Sequence, residues 1–269
     1  VADKTIPLSG KWKYKISASN SDFDFVEYGP NAYPSLLYNA MVNPLVGLSM
    51  RGVIWYQGEN NTNGAKEYYD LFPAMINDWR KKWGKDFPFY WVQLANYMDA
   101  VEVPSESLWA QVREAQTQTL SLPHTGQAVI IDIGEAKDIH PKNKQEVGRR
   151  LALHAFHNDY GFSDVVCESP MPKTVRRVQD KIVVQFDNVA DGLIVKNKYG
   201  YLMSFAVAGT DGVYKWVQAK VAGKDRVVLS CPDVIDPVSV RYAWGDNPDD
   251  ANLYNSVGLP ATPFEIKIE

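Results

Sequence analysis

Residues 131–148, IDIGEAKDIHPKNKQEVG, carry a carboxylate and an imidazole two positions apart, Asp138 and His140, in a polar loop between an apolar run and a Pro-led helix start. A histidine beside a carboxylate can act as general base, a contribution of roughly 10²–10⁴ in rate, with the carboxylate fixing its tautomer. A second polar cluster, QGENNTNG at 57–64, sets Gln57, Gly58, Glu59 and Asn60 directly after the apolar run GVIWY. The glycine lets a backbone approach a ligand closely. The amide of Gln57 or its neighbours can donate to a developing oxyanion, worth about 3 kcal/mol per donor. Such a set suits acyl transfer, for which a nucleophile is still required. Ser49 in GLSMR lies just ahead of a strand, at the wrong edge of a sheet, and the serine of PLSGKW sits at a strand entry.

Plainer readings stand beside these. His140 before a Pro-led helix also reads as a capping or hydrogen-bonding residue, and Glu59 as a salt-bridge partner of Arg51 or Arg113. Asn60, Asn61 and Asn63 suit an Asn-rich turn that needs no ligand. His154 and His157 have an i, i+3 spacing that some metal sites use, but no carboxylate or cysteine cluster accompanies them in the sequence, so no metal is expected. His124 reads as a solvated loop residue, and KNK (142–144) with Arg149 and Arg150 as a solvated helix face.

The elements that must position these residues change in texture near residue 165. Before it, apolar runs at 52–56, 87–95 and 127–134 alternate with helical patterns at 67–83, about 107–120 and about 143–158. Runs apolar on both faces and separated by helices predict a parallel sheet covered by helices. Met75, Ile76, Trp79 and Trp83 form one stripe with Gly84 as its stop, and Pro73 should break or kink that helix near Leu71. Val147, Leu151, Ala155 and Phe156 form a second stripe that ends at Gly161. In an open parallel sheet, ligands bind outside the carboxyl ends of the strands. The loops holding Gln57 to Asn60 and Asp138 to His140 leave that same edge.

After residue 165 the period is two, in DKIVVQF, GLIVKN, LMSFAVAG, YKWVQAKV, DRVVLSC, VSVRYAW and FEIKIE, which predicts an antiparallel β-sandwich. KWKYKIS at 11–17 alternates likewise and is expected to join it. The domains expected are therefore 1–30 as a strand and linker, 31–165 as the α/β domain, and 166–269 as the β domain.

The bulk numbers bound the function. With 269 residues and 45% apolar composition the chain can bury a proper core, and a net charge of −4 argues against nucleic acid as partner. No run approaches a membrane span of roughly 20 apolar residues. Two cysteines, Cys167 and Cys231, lack zinc spacing and read as buried free thiols.

The blocks PSLLYNAMVNPLVGLSMRGVIWYQGENN, YYDLFPAMINDWRKKWGKDFPFYWVQLANY, REAQ, DIGEAKDIHPKNKQEVGRRLALHA and VRYAWGDNPDDANLYNSVGLPATPF together resemble the sialate O-acetylesterase group of SGNH-type hydrolases, from about Lys11 to the end. The resemblance implies a flavodoxin-like three-layer α/β/α domain followed by a β-sandwich-like domain. It also implies release of acetate from O-acetylated sialic acids by a Ser–His mechanism, with no metal or cofactor. His140 would be the base, Gln57 and Gly58 would sit in the oxyanion region, and Glu59 and Asn60 would support the site or touch substrate. Many SGNH hydrolases carry Asp-x-x-His, whereas Asp138-Ile139-His140 is one residue shorter. The orienting acid is then Asp138 first, with Asp132, Glu59 or a backbone carbonyl as alternatives. Arg149 or Arg150 could meet a sialate carboxylate.

In that family the serine precedes the part resembling PSLLYNAM, with a β domain earlier still. The expectation is thus the C-terminal portion of a longer esterase, whose partner is its own missing N-terminal part. Such a piece should expose apolar sheet and tend to homo-oligomerise. The periplasm or exterior of a bacterium is the expected compartment. An esterase for acetylated xylan or other plant polysaccharide, and a non-catalytic carbohydrate-binding fragment, are the alternatives.

Overall fold

The computed structural model describes Lys11, Gly29 and residues 33–268. The KWKYKIS strand and its expected place in the sandwich lie outside the described residues. The chain divides into two compact units between Leu48 and Ser49. In the first, Tyr38–Val42 form a π-helical turn that runs into a 3-10 turn at Asn43–Leu45, where Pro44 supplies a fixed φ at the start.

The second unit opens with a three-stranded parallel sheet, β1 (Val53–Trp55), β2 (Phe89–Val92) and β3 (Thr125–Ala128), in the order β1-β2-β3. Three helices connect or follow these strands: α1 (Ala65–Trp83), α2 (Leu108–Gln118) and α3 (Lys144–Asp159). The alternation within β2 divides the core. Phe89 and Trp91 pack with Phe72 and Ile76 of α1 and Val112 of α2, while Tyr90 and Val92 pack with Val147 and Leu151 of α3. Helices therefore cover both faces, which is why β2 is apolar throughout.

Local signals fix the helix ends. Ser107 caps α2 by accepting from the Ala110 N–H, and Asn143 caps α3 by accepting from the Glu146 N–H. Gly84 ends α1 in the left-handed conformation. Pro73 does not break α1, which is continuous through it. The flanking Tyr68, Phe72 and Ile76 are all buried in the core, and their packing outweighs the lost backbone bond. Phe156 is not core either: it is 45% exposed and meets Phe162 edge-on at 5.5 Å.

The third apolar run departs furthest from expectation. Pairing stops at Ala128, and Val129 and Ile131 stay buried by entering the core of the antiparallel region instead. That region holds two four-stranded sheets and a two-stranded ribbon. The first sheet is β4 (Met171–Val178), β5 (Lys181–Asp187), β10 (Arg226–Ser230) and β9 (Gln218–Ala222), in that order. The second is β13 (Phe264–Lys267), β11 (Ser239–Tyr242), β7 (Phe205–Ala208) and β8 (Tyr214–Trp216). β12 (Leu253–Asn255) pairs with β6 (Leu193–Val195). The two sheets share one core of Val184, Phe186, Val207, Leu229, Tyr242 and their neighbours. YKWVQAKV, one run by pattern, is two strands: Val217 donates its N–H to Phe205 O, and the chain passes there from one sheet to the other. β4 and β12 escaped the pattern, the first because it is bulged beside Pro172 and exposed over much of its length. Both cysteines are free and buried.

Candidate active site

The cleft forms where β1 and the segment after β3 release their loops. From β1 the chain passes through Tyr56, Gln57 and Gly58 into a 3-10 helix, Glu59–Gly64. Gly58 adopts φ +150°, and a Cβ there would lie 3.1 Å from Leu94 Cδ2 and 3.2 Å from Gln116 Nε2. The space that this glycine frees therefore faces the core, not a ligand. It lets the turn settle against α2, where Gln116 Nε2 donates to Gln57 O at 3.3 Å and Gln116 Oε1 accepts from the Leu94 N–H at 3.0 Å. One buried amide thus joins the ends of β1 and β2.

The Gln57 side chain is held at both ends. Its Oε1 accepts from Tyr68 Oη at 3.2 Å, and its Nε2 donates to Asn61 Oδ1 at 2.6 Å. A primary amide carries two N–H groups, so Nε2 keeps a second hydrogen for another acceptor.

On the other side, the Asp138 carboxylate closes a local turn by accepting the His140 backbone N–H at 2.9 Å. The same oxygen lies 3.7 Å from His140 Nδ1, and the His140 side chain is 84% exposed. Among the alternative acids, Asp132 is taken: it receives Arg150 at 2.6 and 2.9 Å and Tyr254 Oη at 3.3 Å.

These two loops line one cleft of about 290 Å³ formed by Tyr56, Gln57, Glu59, Asn60, Ile139, His140 and Lys144. Of the residues singled out in the sequence, Gln57, Glu59, Asn60 and His140 come together here, with Gly58 and Asp138 immediately behind. Glu59 has neither arginine suggested for it: Arg51 donates to Asp159 O, and Arg113 is engaged with backbone. Arg149 and Arg150 are likewise occupied, both by Glu146 at 2.7–2.8 Å, and Arg150 is buried rather than on a solvated face. The two guanidinium groups hold the Glu146 carboxyl down to about 2.

Sequence reasoning missed the frame. Gln116 and Tyr68 had no local signal beyond lying on helices. Lys144 lies over the Tyr56 ring at 4.5 Å, and burial, with a smaller contribution from Glu59, pushes the Tyr56 hydroxyl up to about 12. Arg113 is fully buried and donates to the carbonyls of Leu94, Ala95, Gly245 and Asp246 at 2.6–2.9 Å. It locks the end of β2 to the segment after β11.

Comparison with known proteins gives the family. The family model described as "Carbohydrate esterase, sialic acid-specific acetylesterase" matches residues 21–157. The sialate O-acetylesterases of Homo sapiens and Pongo abelii are each 31% identical over 264 residues, covering 88% of this chain and 49% of theirs. A crystal structure of a carbohydrate acetylesterase from Xanthomonas citri superposes with a TM-score of 0.82 at 46% identity, covering 88% of this chain and 55% of that one. The chain belongs to the sialic acid-specific acetylesterase family of carbohydrate esterases. It spans about half the length of the curated relatives it matches.

Proposed function

We propose that this chain supplies the base and oxyanion side of a carbohydrate O-acetylesterase site acting on O-acetylated sialic acids, with the nucleophilic serine contributed by a part of the protein outside this sequence. The observation that carries the reading is the single cleft in which His140 faces Gln57, Glu59 and Asn60, two loops joined only by tertiary packing. In this reading His140 Nε2 takes the proton of the serine hydroxyl as its oxygen attacks the acetyl carbonyl. The free N–H of Gln57 Nε2 and nearby backbone amides stabilise the tetrahedral oxyanion. Collapse expels the sugar oxygen, which receives the proton from His140. Water then cleaves the acetyl-enzyme by the same base, releasing acetate and regenerating the serine.

Asp138 is the orienting acid in this scheme. Its 3.7 Å separation from His140 is of the kind that closes when substrate binds. Glu59 and Asn60 offer acceptors and donors to sugar hydroxyls. A boundary between α/β and β domains near residue 165 is part of the proposed reading, supported by the change from parallel to antiparallel pairing. Among the described residues no helix is long and apolar enough to cross a membrane. The bacterial periplasm or exterior is the compartment proposed.

The test is acetate release from 4-nitrophenyl acetate and from a 9-O-acetylated sialoside, using this chain beside the full-length parent and its His140→Ala variant. Activity in the parent that falls by several orders of magnitude in the variant is the expected result. A variant that keeps its activity overturns the base assignment. Turnover by this chain alone, lost in His140→Ala, would place a nucleophile within these 269 residues.

A further inference from the structure

Away from the cleft, the packing of α3 against β3 brings together three side chains that the sequence gives no reason to group. His154, Cys167 and Glu168 each offer one donor atom, and the three atoms lie within 4.8 Å of one another. His154 is fully buried. Its ring fits between Tyr90, stacked at 5.5 Å, and Gly126, where a Cβ would come within 2.5 Å of Nδ1. Any side chain at 126 would displace the imidazole.

The tautomer follows from the partner. His154 Nε2 lies 3.0 Å from Gln127 O, and a carbonyl only accepts, so Nε2 carries the hydrogen and Nδ1 presents a lone pair. That lone pair has no hydrogen-bond partner, yet it points toward Glu168 Oε1 at 3.5 Å, which in turn lies 3.9 Å from Cys167 Sγ. An imidazole that donates one N–H to a backbone carbonyl and turns its other nitrogen toward a thiol and a carboxylate has the arrangement of a metal-binding histidine with its outer partner.

We propose that His154 Nδ1, Cys167 Sγ and Glu168 Oε1 bind a divalent cation of the zinc type, with water in the fourth position. Tetrahedral zinc bonds of about 2.0–2.3 Å place neighbouring donors roughly 3.3–3.8 Å apart, and Glu168 Oε1 lies 3.5 Å from His154 Nδ1 and 3.9 Å from Cys167 Sγ. A nitrogen, a thiolate and a carboxylate suit zinc or cobalt rather than magnesium or calcium. Two negative ligands neutralise the cation, so the buried site carries no net charge. Only a thiolate ligates, so the cation must displace the Cys167 proton to solvent on binding. The site would pin the segment leading into β4 against α3, beside the His157 contact with Val165 O at 2.7 Å. Its role is structural, and neither loop of the cleft takes part.

The experiment is a titration of chelator-treated protein with Co²⁺, followed by absorption spectroscopy. One equivalent should produce a sulfur-to-cobalt charge-transfer band and visible ligand-field bands of tetrahedral strength, with about one proton released. Cys167→Ser should abolish the charge-transfer band, and Glu168→Gln, at a partly exposed position that leaves the fold intact, should weaken binding by about 10–100-fold. Zn²⁺ should raise the Tm of the unaltered protein but not of Cys167→Ser. Absence of the band in the unaltered, folded protein overturns the proposal and leaves the thiol as a simple donor to Glu168. Persistence of the band in Cys167→Ser overturns it equally.

Discussion

Asp138 Oδ1 accepts the backbone N–H of His140 at 2.9 Å while lying 3.7 Å from Nδ1 of the same residue, so one oxygen shapes the loop and faces the ring. The two roles separate by substitution. Asp138→Asn keeps an acceptor for the turn but loses the charge. On the proposed reading, it should lower kcat for acetate release by about 10- to 10⁴-fold with little change in Tm. An unchanged kcat would remove Asp138 from the reaction and leave it a turn residue.

Gly58 sits at φ +150° with Leu94 and Gln116 against the position of a Cβ. Gly58→Ala should therefore cost about 1–3 kcal/mol in urea denaturation through backbone strain and overpacking. It should also loosen the Gln116 contact with the Gln57 carbonyl. A variant as stable as the unaltered protein would show that the turn relaxes freely.

Arg113→Lys retains the charge but cannot reach four carbonyls from one ammonium. At least two carbonyls lose a partner inside the core, and the loss of stability should be about 2–4 kcal/mol. Equilibrium unfolding measures it. A loss below 0.5 kcal/mol, on the order of an ordinary surface substitution, would contradict the locking role.

Glu146 titrates below its ordinary value because Arg149 and Arg150 donate to it. A depressed carboxylate stabilises the fold fully above its unfolded value and loses that contribution as pH falls through the folded one. The Tm gap between the unaltered protein and Glu146→Gln should thus be largest above pH 5 and shrink toward pH 2. Solvent access keeps the underlying stability difference small, on the order of 1 kcal/mol or less. A gap independent of pH would point to packing rather than charge.

Among the described residues β1 ends the sheet order, and Ile54 on it is 71% exposed. Exposed apolar strands promote association. Size-exclusion chromatography of this chain should show concentration-dependent self-association that Ile54→Lys reduces. A monomer at all concentrations would remove β1 as an adhesive edge.

Much of this was legible in one dimension. The stripe from Met75 to Trp83, the helix starts near Ser107 and Asn143, the stop at Gly84 and the period-two runs after residue 165 are signals between residues a few positions apart. Sequence displays such signals directly because their physics is local. The rule that polar loops at the carboxyl ends of parallel strands share a cleft brought Gln57 to Asn60 and His140 into one expectation before any coordinates.

What only the tertiary structure decided depends on which distant surfaces meet. Val129 and Ile131 look like strand but leave the parallel sheet for the sandwich core. Arg150 looks solvated but is buried on Asp132. Gly58 makes room for Leu94 and Gln116, which only the fold brings against it. His154 gains Cys167 and Glu168 only because the chain after α3 folds back across it. A residue's type and spacing set its local conformation, but burial, pairing and the company of other side chains are properties of packing, and packing is settled by the whole chain at once.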